Sequence, residues 1–391
     1  MLRSLYSGIS GLRSHQQMLD VTGNNIANVN TVAFKGSSTV FQDTLSQMTQ
    51  GAGGPQTGVG GTNPAQVGLG VQVAGVSTNF AQGSAQATGK ATDLMISGDG
   101  FFVTRLGNDT VYTRAGAFDF DADGRLVSAD GKIVQGYPAT NGVVNENGQL
   151  GDIVLPLDAA APAVRTTQAA VTGNLPSETA VDTVLTRETT VYDASGEKHT
   201  LSLEYKRTPA GWDVTARDGQ GTVATTSLAF DGNGKLTAGG TVAVGTITVD
   251  MSALTGFAAL DTASIASQNG SAAGTLQGYS IAKDGTVVGT FSNGASLAIG
   301  RIALATFANP AGLEKTGASG YRATANSGQA TVGGPGSAGV GSLAAGTLEM
   351  SNVDLSQEFT NLIVAQRGFQ ANARIITTSD EVLQELTNLK R

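Results

Sequence analysis

The sequence contains no cysteine and only two histidines, His15 and His199, among its 391 residues. The absence of cysteine excludes disulfides, thiolate catalysis and cysteine-based metal sites. Two histidines are too few for a histidine-rich zinc site within one chain. No G-x-S-x-G, H-E-x-x-H or Walker A sequence occurs either. We therefore expect no catalytic, cofactor-binding or metal-binding residues, no cofactor, and a protein that is not an enzyme.

Charged residues are also scarce, at 14% of the chain, and the formal net charge is −8. Such a chain lacks the basic face that nucleic-acid binding requires. It has no run of about 18 apolar residues that could span a membrane. The N-terminus has no continuous apolar region of the kind found in secretory signal peptides, so by itself it would indicate a cytoplasmic protein.

Two long amphipathic segments stand at the two ends of the chain. The first has a heptad-like apolar stripe, which consists of Leu2, Leu5, Ile9, Leu12, Leu19 and Ile26. It is expected to end in the Asn-rich run at 24–30, because Asn competes for backbone hydrogen bonds. The second begins after Asp354, a predicted N-cap with Gln357 at N3. Its stripe consists of Leu355, Phe359, Leu362, Phe369, Ile376 and Leu383.

The middle of the chain is typical of β structure. In 94–137, 187–217 and 274–325, short β-prone runs alternate with Gly- and Asp-containing turns, as in antiparallel meanders. The Gly-rich stretches at 51–70 and 333–346 predict flexible or irregular connections. The predicted fold class is therefore multi-domain. The terminal α-helices pair as a coiled-coil-like base, and two mainly-β antiparallel domains are nested between them.

This order of elements predicts four parts. They are a terminal helical domain at 1–30 and 352–391, linker regions, partly Gly-rich, at 31–70 and 326–351, an inner β domain at 71–145 and 274–325, and an inserted outer β domain at 146–273.

The end helices have no domain core of their own to pack on. Isolated helices gain little stability from propensity, whereas burying a Leu or Ile side chain contributes about 1.5–3 kcal/mol. The stripes are therefore expected to pack on each other or on the same helices of neighbouring subunits. The alternative is an ordinary helical hairpin within a monomer. Gln16, Gly23, Gln366 and Gly368 interrupt the stripes, so a simple two-stranded coiled coil is not expected.

An Asp-rich stretch near the middle superficially resembles a calcium loop. Asp119, Asp121, Asp123 and Gly124 spell D-x-D-x-D-G, and Asp130 occupies the twelfth position. An EF-hand needs flanking helices, whereas these flanks are strand-like, so Asp-Gly turns in a meander are the favoured interpretation. A secreted calcium-binding β protein is kept as a distant alternative.

Both ends resemble a known family. Residues 7–36 read SGISGLRSHQQMLDVTGNNIANVNTVAFKG and resemble the N-terminal signature of bacterial flagellar rod and hook axial proteins. Residues 346–389 resemble the C-terminal helix of that family. The pieces at 172–176, 189–201 and 228–236 resemble a domain that hook proteins carry and rod proteins lack. The resemblance is greatest to flagellar hook proteins, and the distal rod protein of the basal body is the second choice.

The resemblance implies a structural subunit that self-assembles outside the cell. Hook subunits form a curved, flexible, hollow tube that couples rod to filament and transmits motor torque for motility. The implied partners are further copies in a helical homopolymer, the distal rod protein, the hook cap protein, the hook–filament junction protein and the flagellar type III export apparatus, with no nucleic acid and no membrane insertion. The implied location is the extracellular hook, reached without a cleaved signal peptide, which replaces the cytoplasmic reading.

The resemblance also assigns roles to residues. The terminal helices would line the tube through the two apolar stripes, with Leu5, Ile9, Leu12, Leu19, Ile26, Leu355, Phe359, Leu362, Phe369, Ile376 and Leu383 as the assembly residues. Phe41 and Leu45 fit the family's Phe-x-x-x-apolar export pattern. The alternative for this pair is two apolar residues one turn apart on a short helix.

Overall fold

The computed structural model describes residues 2–55, 57–58, 60–140, 142–146, 148–156, 161–337 and 339–388, with the side chain of Leu2 outside the described part. The two predicted end helices are present, α1 at Leu2–Ala27 and α2 at Leu355–Asn388. The Asp354 carboxylate caps α2 as predicted, because its Oδ1 accepts the backbone N–H groups of Ser356 at 2.8 Å and Gln357 at 3.3 Å. Within the described residues, no helix is long and apolar enough to cross a membrane.

Short strands follow α1. They are β1 Ser37–Asp43, β2 Ser46–Gln50, β3 Ala65–Gly68, β4 Val71–Thr78, β5 Ala85–Ala87, β6 Leu94–Ser97, β7 Phe101–Leu106, β8 Asp109–Thr113, β9 Phe118–Phe120, β10 Leu126–Ser128, β11 Ile133–Thr140, β12 Val143–Val144 and β13 Gly151–Asp152.

The next strands belong to the range 168–268. They are β14 Gln168–Asn174, β15 Val184–Tyr192, β16 Lys198–Thr208, β17 Gly211–Arg217, β18 Val223–Phe230, β19 Leu236–Ala238, β20 Thr241–Val244, β21 Ile247–Thr255 and β22 Ser264–Gln268.

The chain then returns through short strands to α2. These are β23 Leu276–Ile281, β24 Thr286–Phe291, β25 Ser296–Ile302, β26 Leu304–Thr306, β27 Glu314–Gly317, β28 Gly320–Arg322, β29 Thr331–Gly333, β30 Ser342–Ala345 and β31 Thr347–Glu349, with a 3₁₀ turn at Pro310–Gly312.

The chain divides into two compact units. The first comprises residues 1–155, 280–287 and 298–391, and the second comprises 156–279 and 288–297. The second unit covers most of the range expected for an inserted domain. It also takes in the segment 288–297, which was expected in the inner domain.

The second unit has two sheets around one core. One sheet is the meander β15-β16-β17-β18-β19, and the other has the order β20-β21-β14-β22. On β16, Leu201, Leu203 and Tyr205 alternate with exposed or half-buried residues and are fully buried. They share a hydrophobic cluster with Trp212 of β17 and with Val249 of the other sheet. The two sheets thus pack face to face as a sandwich.

The β part of the first unit is built around β7, which pairs antiparallel with β8, β11 and β26. Successive β7 side chains enter two different cores. Phe102 packs in a cluster with Leu94 and Phe118, whereas Phe101 and Val103 join a second cluster. This sheet is therefore covered on both faces, which accounts for the nearly continuous apolar run of β7.

Three features differ from the sequence expectations. The expected linkers at 31–70 and 326–351 contain the paired strands β1 to β3 and β29 to β31. Phe41 lies on β1 rather than on a short helix, because β1 pairs with β4 along its whole length. The pairing of β14 with β21 is parallel, whereas only antiparallel pairing was expected. Apart from β2 with β3, the partner strands are distant in sequence, so local patterns do not report them.

Candidate assembly interface

The two end helices pair antiparallel, and their contacts run in a constant register. Ser4 Oγ lies 3.4 Å from Ser379 Oγ at one end. Asn25 Nδ2 donates to Glu358 Oε1 at 3.1 Å at the other end. The predicted base of paired terminal helices is therefore present within a single chain.

Small residues allow the two helices to approach closely. A Cβ atom added at Gly11 would lie 2.6 Å from Asn372 Oδ1, and one added at Gly368 would lie 2.5 Å from the His15 ring. At Gly8, an added Cβ would lie 3.3 Å from Ile376 Cγ1. Because the distance between packed helices depends on the side chains at the contact, glycine at these positions sets a short separation.

The contact face of α1 is a stripe of small and polar residues, here called the seam. It has heptad spacing and consists of Ser4, Gly8, Gly11, His15, Met18, Thr22 and Asn25. The predicted apolar stripe lies one residue further along, about 100° around the helix. A search of the sequence for small residues at heptad spacing would have found the seam. A search for apolar residues finds the adjacent apolar stripe instead.

The predicted assembly residues consequently lie beside the seam. Nine of the eleven are half-buried, namely Leu5, Ile9, Leu12, Leu19, Ile26, Leu362, Phe369, Ile376 and Leu383. Leu355 and Phe359 are exposed by 39% and 52%. The expected packing of these stripes on each other or on neighbouring subunits stays a prediction. Further apolar residues of α2 are also exposed, namely Ile363, Val364, Ile375, Val382 and Leu386.

A β ribbon lies along α1. It consists of β1 paired with β4 and β2 paired with β3. Asn25 on α1 holds its base through two hydrogen bonds with the backbone of Ser37, at 2.7 and 3.0 Å. Ser10 Oγ accepts the N–H of Val71 at 3.2 Å. The candidate export residues are on this ribbon, with Phe41 37% and Leu45 84% exposed.

A buried ion cluster joins segments from both ends of the chain. Lys35 Nζ lies 2.6 Å from Glu349 Oε1, and both side chains are fully buried. Arg114, also buried, places Nη1 3.5 Å from Glu349 Oε2. Burial lowers the pKa of Lys35, and the hydrogen bond and charge of Glu349 oppose that shift. Glu349 Oε1 also accepts the backbone N–H of Gly83 at 2.8 Å.

The Asp-rich stretch forms a hairpin turn between β9 and β10, as the strand-like flanks predicted. Asp121 Oδ1 accepts the backbone N–H groups of Asp123 at 3.0 Å and Arg125 at 2.7 Å. The Arg125 guanidinium contacts both Asp121 and Asp123. These carboxylates serve the turn and an arginine rather than converging on a common point, as calcium ligands do.

Family models match four segments of the chain. Residues 5–35 match the flagella basal body rod protein model, and 95–168 match the flagellar hook protein FlgE/F/G D1 domain. Residues 157–282 match the flagellar basal body protein FlaE D2 domain, and 344–389 match the flagellar basal body rod FlgEFG protein C-terminal model. The matches therefore include both end helices and much of each β unit.

Curated relatives match over the whole chain. The flagellar hook protein FlgE of Borreliella burgdorferi is 39% identical, and that of Treponema pallidum is 38% identical, each over 100% of both chains. The flagellar basal-body rod protein FlgG of Bacillus subtilis is 36% identical over 100% of both chains. The crystal structure of the Helicobacter pylori flagellar hook protein FlgE2 shares the fold, with a TM-score of 0.50, 15% identity, and coverage of 68% of this chain and 100% of that chain. The chain belongs to the flagellar hook protein family.

Proposed function

We propose that this chain is the structural subunit of a bacterial flagellar hook and that it has no enzymatic role. Copies polymerise into a curved, flexible tube that couples rod to filament and transmits torque. The observation that carries the proposal is the apolar surface beside the seam. On α2 this surface includes the exposed side chains of Leu355, Phe359, Ile363 and Val364. They are exposed although each helix already has an intramolecular partner. A second copy of the helix pair supplies matching apolar surface.

The two surfaces of the helix pair have different tasks in this proposal. The seam joins α1 to α2 within a subunit, and the apolar stripes join neighbouring subunits in the tube wall. The surfaces of the β parts of both units, in a sequence rich in Thr, Ser, Asn and Gly, slide against neighbours as the tube bends. Polar contacts of this kind re-form readily, whereas extensive apolar contacts would hold one arrangement.

Polymerisation tests the proposal. Ile9→Asp, Leu362→Asp and Phe359→Asp should each abolish tube formation, because a carboxylate in an apolar interface loses its water without gaining a partner. Electron microscopy under polymerising conditions provides the measurement, and the fluorescence of Trp212, buried in the second unit, checks that this unit stays folded.

Gln17→Asp is the matched control, because Gln17 is exposed on α1 and belongs to neither the seam nor the apolar stripe. It introduces the same charge and should leave the tubes intact. Wild-type-like tubes from Phe359→Asp would contradict the proposal most directly, since Phe359 is exposed within the subunit and its replacement has little effect on the fold.

The second candidate function is a subunit of the distal rod. The 36% identical rod protein of Bacillus subtilis, matched over its whole length, favours this alternative. The shape of the polymer separates the two candidates, since curved tubes support the hook and straight tubes support the rod.

The same proposal includes the individual partner proteins and the export of the subunit. In the assembled flagellum, the subunit meets the distal rod protein, the hook cap protein and the hook–filament junction protein. It reaches the extracellular hook through the type III export apparatus, without a cleaved signal peptide.

Export offers a separate test at Phe41. If Phe41 and Leu45 form the export signal, Phe41→Ala should reduce the amount of secreted protein severalfold, because an aromatic contact with the apparatus is lost. Val40→Ala is the matched control, since Val40 is the preceding residue of β1 and is 50% exposed. Immunoblots of cell and culture fractions measure the effect. Equal secretion of both variants would contradict the role of Phe41.

A further inference from the structure

We propose that Asp193, Glu197 and His199 bind a divalent transition-metal cation, with Zn²⁺ as the probe. The three residues surround the tight turn between β15 and β16 in the second unit. One ligand atom from each lies within 4.8 Å of the others. An imidazole and two carboxylates are a ligand set that Zn²⁺ accepts.

The hairpin register brings the three side chains to one face. Val191 pairs directly with His199 on the two strands. The turn continues this pairing, since Asp193 N–H donates to Glu197 O at 3.1 Å. Residues two apart on an extended strand share a face, so Glu197 and His199 point the same way. The face therefore follows from the backbone pairing and does not require a rare side-chain conformation.

The Asp193 carboxylate is held in a fixed orientation. Its Oδ1 accepts the backbone N–H groups of Ser195 and Glu197, both at 2.8 Å. Ser195 Oγ donates to Oδ1 at 2.7 Å and lies 2.9 Å from Oδ2. Hydrogen bonds of this kind orient a carboxylate ligand for a metal.

His199 presents an imidazole nitrogen toward this carboxylate. Its Nε2 lies 3.0 Å from Gln220 Nε2. An amide nitrogen only donates, so the lone pair of His199 Nε2 accepts the Gln220 N–H in this structure. The same Nε2 lies 3.8 Å from Asp193 Oδ2. A cation bound between His199 Nε2 and Asp193 Oδ2 would take the place of the Gln220 N–H, and the amide of the exposed Gln220 would turn away.

The site also has room for a further ligand. A cavity of about 160 Å³ adjoins it, lined in part by Asp218, Gln220 and Thr222. Three protein ligands leave a fourth tetrahedral position for water, and that water would occupy the cavity. Arg165 lines the same cavity and is the cation that would oppose the metal there. The single imidazole favours zinc over calcium, which prefers six or more oxygen ligands.

Titration calorimetry on the tag-free, unpolymerised full chain tests the site. Zn²⁺ should bind at one equivalent near pH 7.5, and Ca²⁺ should not compete. His199→Gln and Glu197→Gln should each weaken Zn²⁺ binding by more than about 100-fold, because replacing a ligand costs more than replacing its supporting residues. The thermal midpoint of the Trp212 signal should rise with Zn²⁺ in the wild type and not in these two variants.

His15→Gln is the matched control, because His15 is the only other histidine in the sequence. It should leave Zn²⁺ binding unchanged. Absence of Zn²⁺ binding in the wild type would overturn the proposal. Equal binding of Ca²⁺, or a loss of Zn²⁺ binding in His15→Gln instead of His199→Gln, would overturn it as well.

Discussion

Replacing Glu349 with Ala should destabilise the first unit by about 3–5 kcal/mol, because it leaves the buried Lys35 without an anion and leaves Arg114 with only the exposed carboxylate of Asp99, 4.0 Å away. Lys35 and Glu349 are both fully buried, and Arg114 is 3% exposed. The substitution also removes the acceptor of the Gly83 N–H. Water cannot reach these groups to compensate, so the loss should far exceed that of a surface ion pair.

The two units can be followed separately in this experiment. Both helices belong to the first unit, so circular dichroism at 222 nm reports mainly on that unit, and the single tryptophan, Trp212, reports on the second. The denaturation midpoint from circular dichroism should fall in Glu349→Ala, and the midpoint from fluorescence should stay. Asp119→Ala, which breaks the exposed pair with Lys90, is the control and should have little effect. Equal falls in the denaturation midpoint of both variants would show that the buried cluster stabilises the first unit no more than an exposed ion pair does.

Gly11→Leu and Gly368→Leu should each separate α1 from α2 and prevent tube formation. Leucine forms helices better than glycine, so propensity alone predicts a gain in stability. Packing in the seam makes the expected change in stability unfavourable instead. A Cβ atom at Gly11 would lie 2.6 Å from Asn372, and one at Gly368 would lie 2.5 Å from His15. The three further carbon atoms of leucine need still more space. Overpacking of this kind costs about 1–3 kcal/mol per site. Loss of signal at 222 nm and absence of tubes by electron microscopy are the measurements.

Gly23→Leu is the control for these seam variants. Gly23 is also on α1, and an added Cβ would meet nothing within 4 Å. This variant should keep or raise the helical signal by the propensity gain. If all three variants polymerise alike, the seam does not depend on small residues.

Local signals predicted the ends of the helices well. The Asp354 cap and the Asn-rich end of α1 depend on neighbouring residues, and both occur as expected. The seam was missed because Gly8, Gly11 and Ser4 carry no apolar signal, although they determine which face of α1 meets α2. Apolar periodicity reported the neighbouring stripe, whose described side chains are half-buried or exposed in one chain.

Contacts between distant parts of the sequence could not be predicted. Lys35 and Glu349 are 314 residues apart, and neither residue looks unusual in its local sequence. The strands in the expected linkers were missed as well. Most of them pair with strands far away in sequence, whereas β3, in the Gly-rich stretch at 51–70, pairs with the nearby β2. Glycine there marks turns as much as flexibility. Composition does not separate these two uses of glycine.

The antiparallel seam has a consequence for the order of folding. Ser4 and Ser379 are 375 residues apart, so the helix pair closes a loop that contains almost the whole chain. Loop closure costs more entropy as the loop lengthens, whereas each β hairpin closes locally. The hairpins can therefore fold while either end of the chain is still unavailable, and α1 pairs with α2 only when both ends are free. A chain that emerges gradually from a narrow channel would thus pair α1 with α2 in its last step, after its β hairpins have formed.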